Sequence, residues 1–282
     1  MLTTKVITPR QGESYYAKEN YYSAEESVEQ SEWIGQGAKK LGLKGQVTAK
    51  NFKKLLYGEL PNGTRFRKRK KERAGYKERA GLDCTFSAPK SVSIQALVYG
   101  DKRLEEIAHR EAVRRTLEIV ERNYATTRVM VEGKIQVIKT HNLVIGQFHH
   151  DTSRELDPHL HTHCVIINAT KAENGKWYSL RTDDIFANRK LLGMIYQNEL
   201  ALQVQKLGYE IEHKEHGQFE IKGFTQEQLE SFSKRRQQIK TQLGEESTWK
   251  KREKVWDKTR IAKENPFPEA NFNNIGVLNL RS

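Results

Sequence analysis

A chain of 282 residues with 36% hydrophobic side chains can bury one sizeable core or two small ones, and its 49 Lys and Arg against 36 Asp and Glu leave a net charge of +13. That excess attracts polyanions, nucleic acid first among them, and says nothing about fold. No apolar run approaches the roughly 20 residues that span a bilayer. The opening MLTTKVITPRQGESYY lacks the apolar centre of a signal peptide, and the two cysteines, Cys84 and Cys164, form no CxxC pattern, so a reducing cytoplasm is the expected setting and no membrane insertion is expected.

In chain order, TTKVITP alternates polar and β-branched residues and predicts a short strand. GESYYAKENYYSAEE follows as helix or loop with two Tyr-Tyr pairs, and the mixed, glycine-bearing region 31–62 ends at the turn signal LPNGT. Arg65–Arg79 holds nine basic and two acidic residues, a density that favours a solvated, mobile loop. GLDCTFSAPKSVSIQALV gives a strand through Cys84–Phe86, a Ser/Pro break and an apolar segment. From Asp101, an N-cap candidate, Leu104, Ile107, Ala108, Leu117 and Val120 recur at helical spacing. TRVMVEGKIQVIK predicts a hairpin turning at Glu132-Gly133. NLVIGQFHH and LHTHCVIIN are β-type runs joined by a polar loop containing Asp157-Pro158.

Asp183 to Leu207 is helical with Gly208 as its stop, YEIEHKEHGQFEIKG is a second hairpin, and Thr225 with Gln228 makes a capping box. The stretch Lys234–Arg260 carries ten basic and four acidic residues together with Trp249 and Trp256. No GxxxxGK[ST] phosphate loop and no internal repeat occurs. Interleaved strands and helices predict an α+β fold.

Five of the nine histidines fall between Phe148 and Asn168. On a strand, His161 and His163 project to one side about 7 Å apart. If the two β-runs pair antiparallel, His150 faces them, and three imidazoles converge with coordination positions left open, as a catalytic metal site requires. Zinc, manganese, nickel or copper would accept three neutral imidazoles. Cys164 has the opposite parity and is excluded as a ligand; His149 and His159 are read as solvated neighbours. Tyr15, Tyr16, Tyr21 and Tyr22 are nucleophile candidates only where a base or cation favours the phenolate, since a phenol has a pKa of about 10; aromatic pairs on such a segment otherwise pack. Asp83 would either orient a ligating imidazole or take the tyrosine proton.

These motifs, in this order, resemble those of the conjugative relaxases of the TrwC/TraI (MobF) family within the HUH endonucleases. FHHDTSRELDPHLHTHCVI is similar to the three-histidine motif, GLDCTFSAPKSVS to the second motif, and SYYAKENYY to the N-terminal twin tyrosine pairs. TRVM, NLVIG, QKLGYE and TRIAKE also fall in family order, so the resemblance covers residues 1–264 as a relaxase domain, with 265–282 as a flexible tail. The tyrosines precede the histidines by more than a hundred residues, the order of relaxases rather than of rolling-circle initiators or related transposases.

The resemblance implies a palm-like central antiparallel sheet flanked by helices, with a partial C-terminal helical extension. It implies that His150, His161 and His163 hold one divalent metal ion (magnesium, manganese, zinc or nickel), that Tyr15 is the principal nucleophile and Tyr21 the leading residue of the second pair, with Tyr16 and Tyr22 beside them, and that Asp83 is the motif aspartate. The implied substrate is single-stranded DNA at a transfer origin with an adjacent hairpin, nicked through a 5′-phosphotyrosyl adduct. Lys90, Arg154, Arg67, Arg69, Lys70, Arg235 and Arg236 are the expected DNA contacts, and Trp249 or Trp256 would stack bases. Relaxosome accessory proteins and a type IV secretion coupling protein are the further expected partners, in a bacterial cytoplasm.

Two departures stand beside the match. Family members continue into a helicase domain, whereas this chain ends at Ser282 without a phosphate loop, trimmed or stand-alone; and its ending lacks the longer helical part that closes over DNA in the family. The competing functions are a DNA-binding module that no longer cuts and a three-histidine metallohydrolase using metal-bound hydroxide.

Overall fold

The structure is a computed structural model that describes residues 1–17, 31–67, 78–153 and 155–234, and for residues 14–17 the backbone only. Tyr21, Tyr22, Arg69, Lys70, Arg154, Arg235, Arg236, Trp249, Trp256 and the expected tail at 265–282 lie outside the described residues.

The centre is a five-stranded sheet in the order β1-β3-β7-β6-β2, formed by β1 (Leu2–Ile7), β2 (Ser31–Ile34), β3 (Gly81–Ser87), β6 (Ile145–Thr152) and β7 (Pro158–Ile167). Every neighbouring pair is antiparallel, as the resemblance implied. Two smaller hairpins flank it: β4 (Thr126–Val131) with β5 (Lys134–Lys139), and β10 (Ile211–His213) with β11 (Phe219–Ile221), while β8 (Thr170–Lys171) and β9 (Trp177–Tyr178) form a short ribbon. The first hairpin turns where expected, with Glu132 and Gly133 at positive φ of 49° and 75°, the pair of left-handed residues that a tight two-residue turn demands.

Each face of the sheet buries its own apolar set. On one, which we call the front, Phe148, Val165 and Ile167 pack with Trp33 and with Phe52, Leu55 and Leu56 of α3 (Ala49–Leu56). On the back, Leu82, Cys84, Phe86, Cys164 and Ile166 meet α4 (Lys90–Leu97), α5 (Arg110–Tyr124) and α7 (Arg189–Lys206) through Val92, Val113, Leu117, Leu192, Tyr196 and Leu200. Cys164 thus faces away from the histidine side, as its parity required. Both cysteines are buried and unpaired.

Gly81 starts β3 where a Cβ would overlap the Ile166 carbonyl on β7, so only glycine lets the two strands approach there. No helix among the described residues is long and apolar enough to cross a membrane.

Three elements differ from the sequence reading. Region 31–62, read only as mixed, contains β2, a short helix α2 (Gln36–Lys40) and α3; the signal was Phe52, Leu55 and Leu56 at i, i+3 and i+4. The helix expected from Asp101 opens with a π-helical turn, Leu104–His109, before α5; Asp101 accepts the Arg103 backbone N–H at 3.1 Å on the way in. The segment from Asp183 breaks at Asn188 into α6 (Asp183–Ala187) and α7, with Gly208 beyond the C-terminus of α7 at φ 95°. The capping box at Thr225 and Gln228 opens α8 (Gln226–Ser231) as expected.

The π turn delivers His109 into the back core, fully buried, where its ring nitrogens lie 2.8 Å from Tyr196 Oη and 2.8 Å from Thr162 Oγ1. Burial holds its pKa well below the usual 6.5. The folded state therefore refuses a proton that the unfolded chain takes up, so His109 adds stability above pH 6.5 that drains away as pH falls below it. One such proton accounts for about 1.4 kcal/mol per pH unit. Urea unfolding at pH 7 and pH 5 is expected to show lower stability at pH 5, and the His109→Gln variant a smaller difference between the two. Separately, Gly81→Ala is expected to cost about 1–3 kcal/mol in the same measurement, because the obstructing atom is backbone and cannot rotate away.

Candidate metal centre and nicking site

The last four residues of β7, Cys164–Ile167, are buried on both sides of the sheet, whereas His159, His161 and His163 alternate with fully covered neighbours and stay half-buried. Among the described residues, the apolar cover of the front face therefore stops short of the His163 end, where β7 presents its histidines. The antiparallel register sets His150 of β6 directly opposite His161, as the spacing argument required. Between His150 and Thr152 the register shifts, a bulge that ends regular pairing beside the site. The loop beyond it is closed by Ser153, whose hydroxyl accepts the backbone N–H groups of Glu155 and Asp157, and Leu156 turns it at φ 58°.

The three rings form a nearly equilateral triangle: centroids of His150 and His161 are 5.2 Å apart, of His150 and His163 5.3 Å, and of His161 and His163 5.3 Å. Three imidazoles bound tetrahedrally at about 2 Å through one nitrogen each would put their centroids about 5 Å apart, so the spacing suits one small ion. Among the described residues no group of three or more His, Cys, Asp or Glu side chains is already placed to hold a metal ion, and the planes of His150 and His161 lie 24° from parallel.

The other ring nitrogens are tied down. His161 Nδ1–H donates to the His159 carbonyl at 2.8 Å. His163 Nδ1 lies 3.0 Å and 3.2 Å from the carboxylate oxygens of Asp83, which is 3% exposed, and 3.0 Å from Thr85 Oγ1. Both bonds place the ring proton on Nδ1 and the lone pair on Nε2, the tautomer a metal ligand needs. Asp83 therefore orients His163, one of the two roles the sequence left open. Thr85 was missed; its signal is its parity with Asp83 on β3 and its register position opposite His163.

The helix α1 (Pro9–Ala17) carries Tyr15 and Tyr16 near its C-terminus. It begins with a reciprocal pair in which Gln11 N–H donates to Thr8 Oγ1 and Thr8 N–H to Gln11 Oε1, with Pro9 at the first helical position. It docks on α3 because Gly12 has no Cβ to strike Leu56, while Glu13 pairs with Lys53 at 2.8 Å and accepts from Tyr57 Oη at 3.3 Å.

Several expectations are corrected. Arg67 is not a solvent-facing DNA contact: its guanidinium donates to the carbonyls of Leu56 (2.7 Å) and Arg79 (2.8 Å), pairs with Glu78 at 3.2 Å and is only 12% exposed. Within the basic run the chain uses that cation to fasten the strand-bearing segment to α3. Nor is His149 solvated; it lies 7% exposed on the back, its Nδ1 2.9 Å from Thr162 Oγ1, with its pKa pushed to about 3 by burial and then by Arg110. His159 is the fourth imidazole of the front, its ring 4.7 Å from that of His161, and burial holds its pKa well below the usual value. Lys90 donates to the Pro158 carbonyl at 2.9 Å, anchoring the start of β7; burial lowers its pKa against the opposing pull of Asp157 and Glu220.

The family model described as TrwC relaxase matches residues 9–274. The multifunctional conjugation protein TraI of Escherichia coli is 42% identical over 268 residues, which is 92% of this chain and 15% of TraI; the protein of the same name from strain K12 is 40% identical over the same shares. The chain thus spans about 15% of the length of these curated relatives. Among solved structures, the conjugative relaxase TrwC bound to oriT DNA in a metal-bound state is 40% identical with a TM-score of 0.87, covering 98% of this chain and 96% of that one. TrwC complexed with a 27-mer DNA comprising the recognition hairpin and the cleavage site is 39% identical with a TM-score of 0.86 and the same coverage. With a family match over nearly its whole length, and the same fold as a solved member at 40% identity, the chain belongs to the TrwC relaxase family.

Proposed function

We propose that the chain is a metal-dependent, strand-specific DNA nickase and strand-transfer enzyme that acts on single-stranded DNA beside a hairpin at a transfer origin. The observation that carries the reading is the triangle of imidazoles on the open end of the front face, with Nδ1 of two of them held by Asp83 and by a backbone carbonyl. The excess of +13 supports a polyanionic substrate, and related TrwC structures hold oriT DNA.

A divalent cation among His150, His161 and His163, with magnesium, manganese, zinc and nickel as its candidates, would supply positive charge beside the scissile phosphate. The chain's own part is to keep these rings aimed. Asp83 accepts the His163 ring proton, so the carboxylate's charge stabilises that tautomer. Tyr15 is proposed to attack: its oxygen bonds to phosphorus while the bond to the 3′-oxygen breaks, and its proton passes by way of a base to the 3′-oxygen, which leaves as a hydroxyl. One phosphoester replaces another, so attack by that hydroxyl on the 5′-phosphotyrosyl bond rejoins the strand without ATP. Tyr21 would make the second cleavage, with Tyr16 and Tyr22 as the other members of each pair. Lys90, Arg154, Arg69, Lys70, Arg235 and Arg236 are the proposed phosphate contacts. Accessory proteins of the relaxosome, a type IV secretion coupling protein and a bacterial cytoplasmic setting belong to the same reading; the two unpaired thiols suit the last.

Incubation with Mn²⁺ and a single-stranded oligonucleotide carrying a transfer-origin hairpin and cleavage site should give an SDS-resistant covalent band, with the adduct on Tyr15 by peptide mass spectrometry. Tyr15→Phe combined with Tyr21→Phe should abolish it; cleavage that survives the double variant would instead mark a metallohydrolase, and no band with any divalent metal a binding module. His161→Ala should lose cleavage while keeping hairpin affinity within about threefold, because phosphate contacts dominate binding. Asp83→Ala should weaken Mn²⁺ binding about 10–100-fold by freeing the His163 ring.

A further inference from the structure

Directly behind the metal-ligand candidates, on the opposite face of the same two strands, runs a chain of four buried polar groups. Tyr196 Oη lies 2.8 Å from His109 Nδ1, His109 Nε2 2.8 Å from Thr162 Oγ1, and Thr162 Oγ1 2.9 Å from His149 Nδ1. Three of the four residues are fully buried and His149 is 7% exposed. Burying four polar side chains under a helical layer is costly unless each is satisfied.

The positions in sequence are what connect this chain to the site. Thr162 stands between His161 and His163 on β7, and His149 stands next to His150 on β6. His149 and Thr162 are register partners, one step along from the pair His150 and His161. Successive residues of a strand alternate faces, so pinning His149 to Thr162 on the back fixes which residues meet on the front. A slip of one residue would exchange the two sets. The pin sits where it is most needed, since regular pairing of β6 with β7 ends at the bulge after His150. The π turn that ends at His109 is the local departure that brings this ring to the strand.

The hydrogen-bond bookkeeping closes in one direction. Tyr196 donates its hydroxyl proton to His109 Nδ1, His109 Nε2–H donates to Thr162, and Thr162 donates to His149 Nδ1. Run the other way, the buried Tyr196 hydroxyl proton would have no acceptor. The polarity is therefore set from the α7 end, and a single hydroxyl, that of Thr162, joins the helical layer to both strands.

We propose that Tyr196, His109, Thr162 and His149 form a back-face positioning relay that holds the register of β6 on β7 and thereby the geometry of His150, His161 and His163. The four are positioning residues and touch neither DNA nor metal. The inference rests on the metal-dependent reading above for what the three front histidines do, and not for how they are held.

The test removes the shared hydroxyl without changing volume. Thr162→Val should remain folded by far-UV circular dichroism and bind Mn²⁺, followed by the electron paramagnetic resonance signal of the free ion, about 10–100-fold more weakly than the parent, in line with the loss of other groups that orient ligands. Thr162→Ser, which restores the hydroxyl, should return the affinity to within about threefold. In metal-free protein, long-range ¹H–¹⁵N spectra of the imidazoles should show single Nδ1–H tautomers for His161 and His163 in the parent and Thr162→Ser, and averaged or doubled signals in Thr162→Val. A folded Thr162→Val with parental Mn²⁺ affinity and parental imidazole signals overturns the relay. If Thr162→Val does not fold, Tyr196→Phe decides: weakened Mn²⁺ binding with altered imidazole signals supports the relay, and parental behaviour overturns it. A parent chain that binds no Mn²⁺ defeats the functional reading above, while the metal-free spectra still decide how the rings are held.

Discussion

The register of β6 against β7 is the constraint on which the rest of the structure depends. Two strands meet with His150 opposite His161, and everything chemical on the front follows from that pairing and from the twofold alternation of side chains. The same alternation sends Cys164, Thr162 and His149 to the back, where they are buried. A strand that must present polar ligands on one side and a dry core on the other has only one acceptable register. The two faces are thus specified together, and the apolar set on the back does as much to define the site as the imidazoles themselves.

Around that pairing, the site is assembled from parts that arrive from distant stretches of chain. Asp83 and Thr85 come from β3, whose pairing with β7 depends on glycine at position 81. The helix that carries Tyr15 and Tyr16 is seated on α3 through Gly12, Glu13 and Tyr57. Lys90 ties the start of α4 to the start of β7. Each contact removes a degree of freedom from one component, and Asp83 and Thr85 act on the His163 ring directly. Positioning by such contacts is what lets neutral imidazoles keep their lone pairs directed before any ion arrives.

The charge of the chain is not spent uniformly on nucleic acid. Arg67, near the start of the most basic segment, is turned inward to cap backbone carbonyls, with Glu78 as its counter-ion. Arg79 does likewise, donating to Thr182 Oγ1 and the Leu180 carbonyl. Guanidinium groups suit this use because their several fixed donors can satisfy more than one carbonyl at once. A basic run therefore contains both anchors and candidate phosphate contacts, and composition alone cannot sort them.

Much of this was legible from residues in order. The β-type runs NLVIGQFHH and LHTHCVIIN predicted both strands, because strand periodicity is a local property of the chain, and the meeting of His150 with His161 and His163 followed on the condition that the two pair antiparallel, which they do. The hairpin at Glu132-Gly133 and the capping box at Thr225 were legible for the same reason: a few neighbouring residues set the backbone there. What the chain alone did not disclose were pairings across large sequence separations. Arg67 looked solvated until folding set two carbonyls and a carboxylate beside it. His149 and His159 looked like solvated neighbours until the covering helices buried one and the ring of His161 came to lie against the other. Thr162 acquires its role only because His109 reaches it from more than fifty residues away. Burial and long-range hydrogen bonding depend on which surfaces the tertiary fold brings together, so only the folded chain decides them.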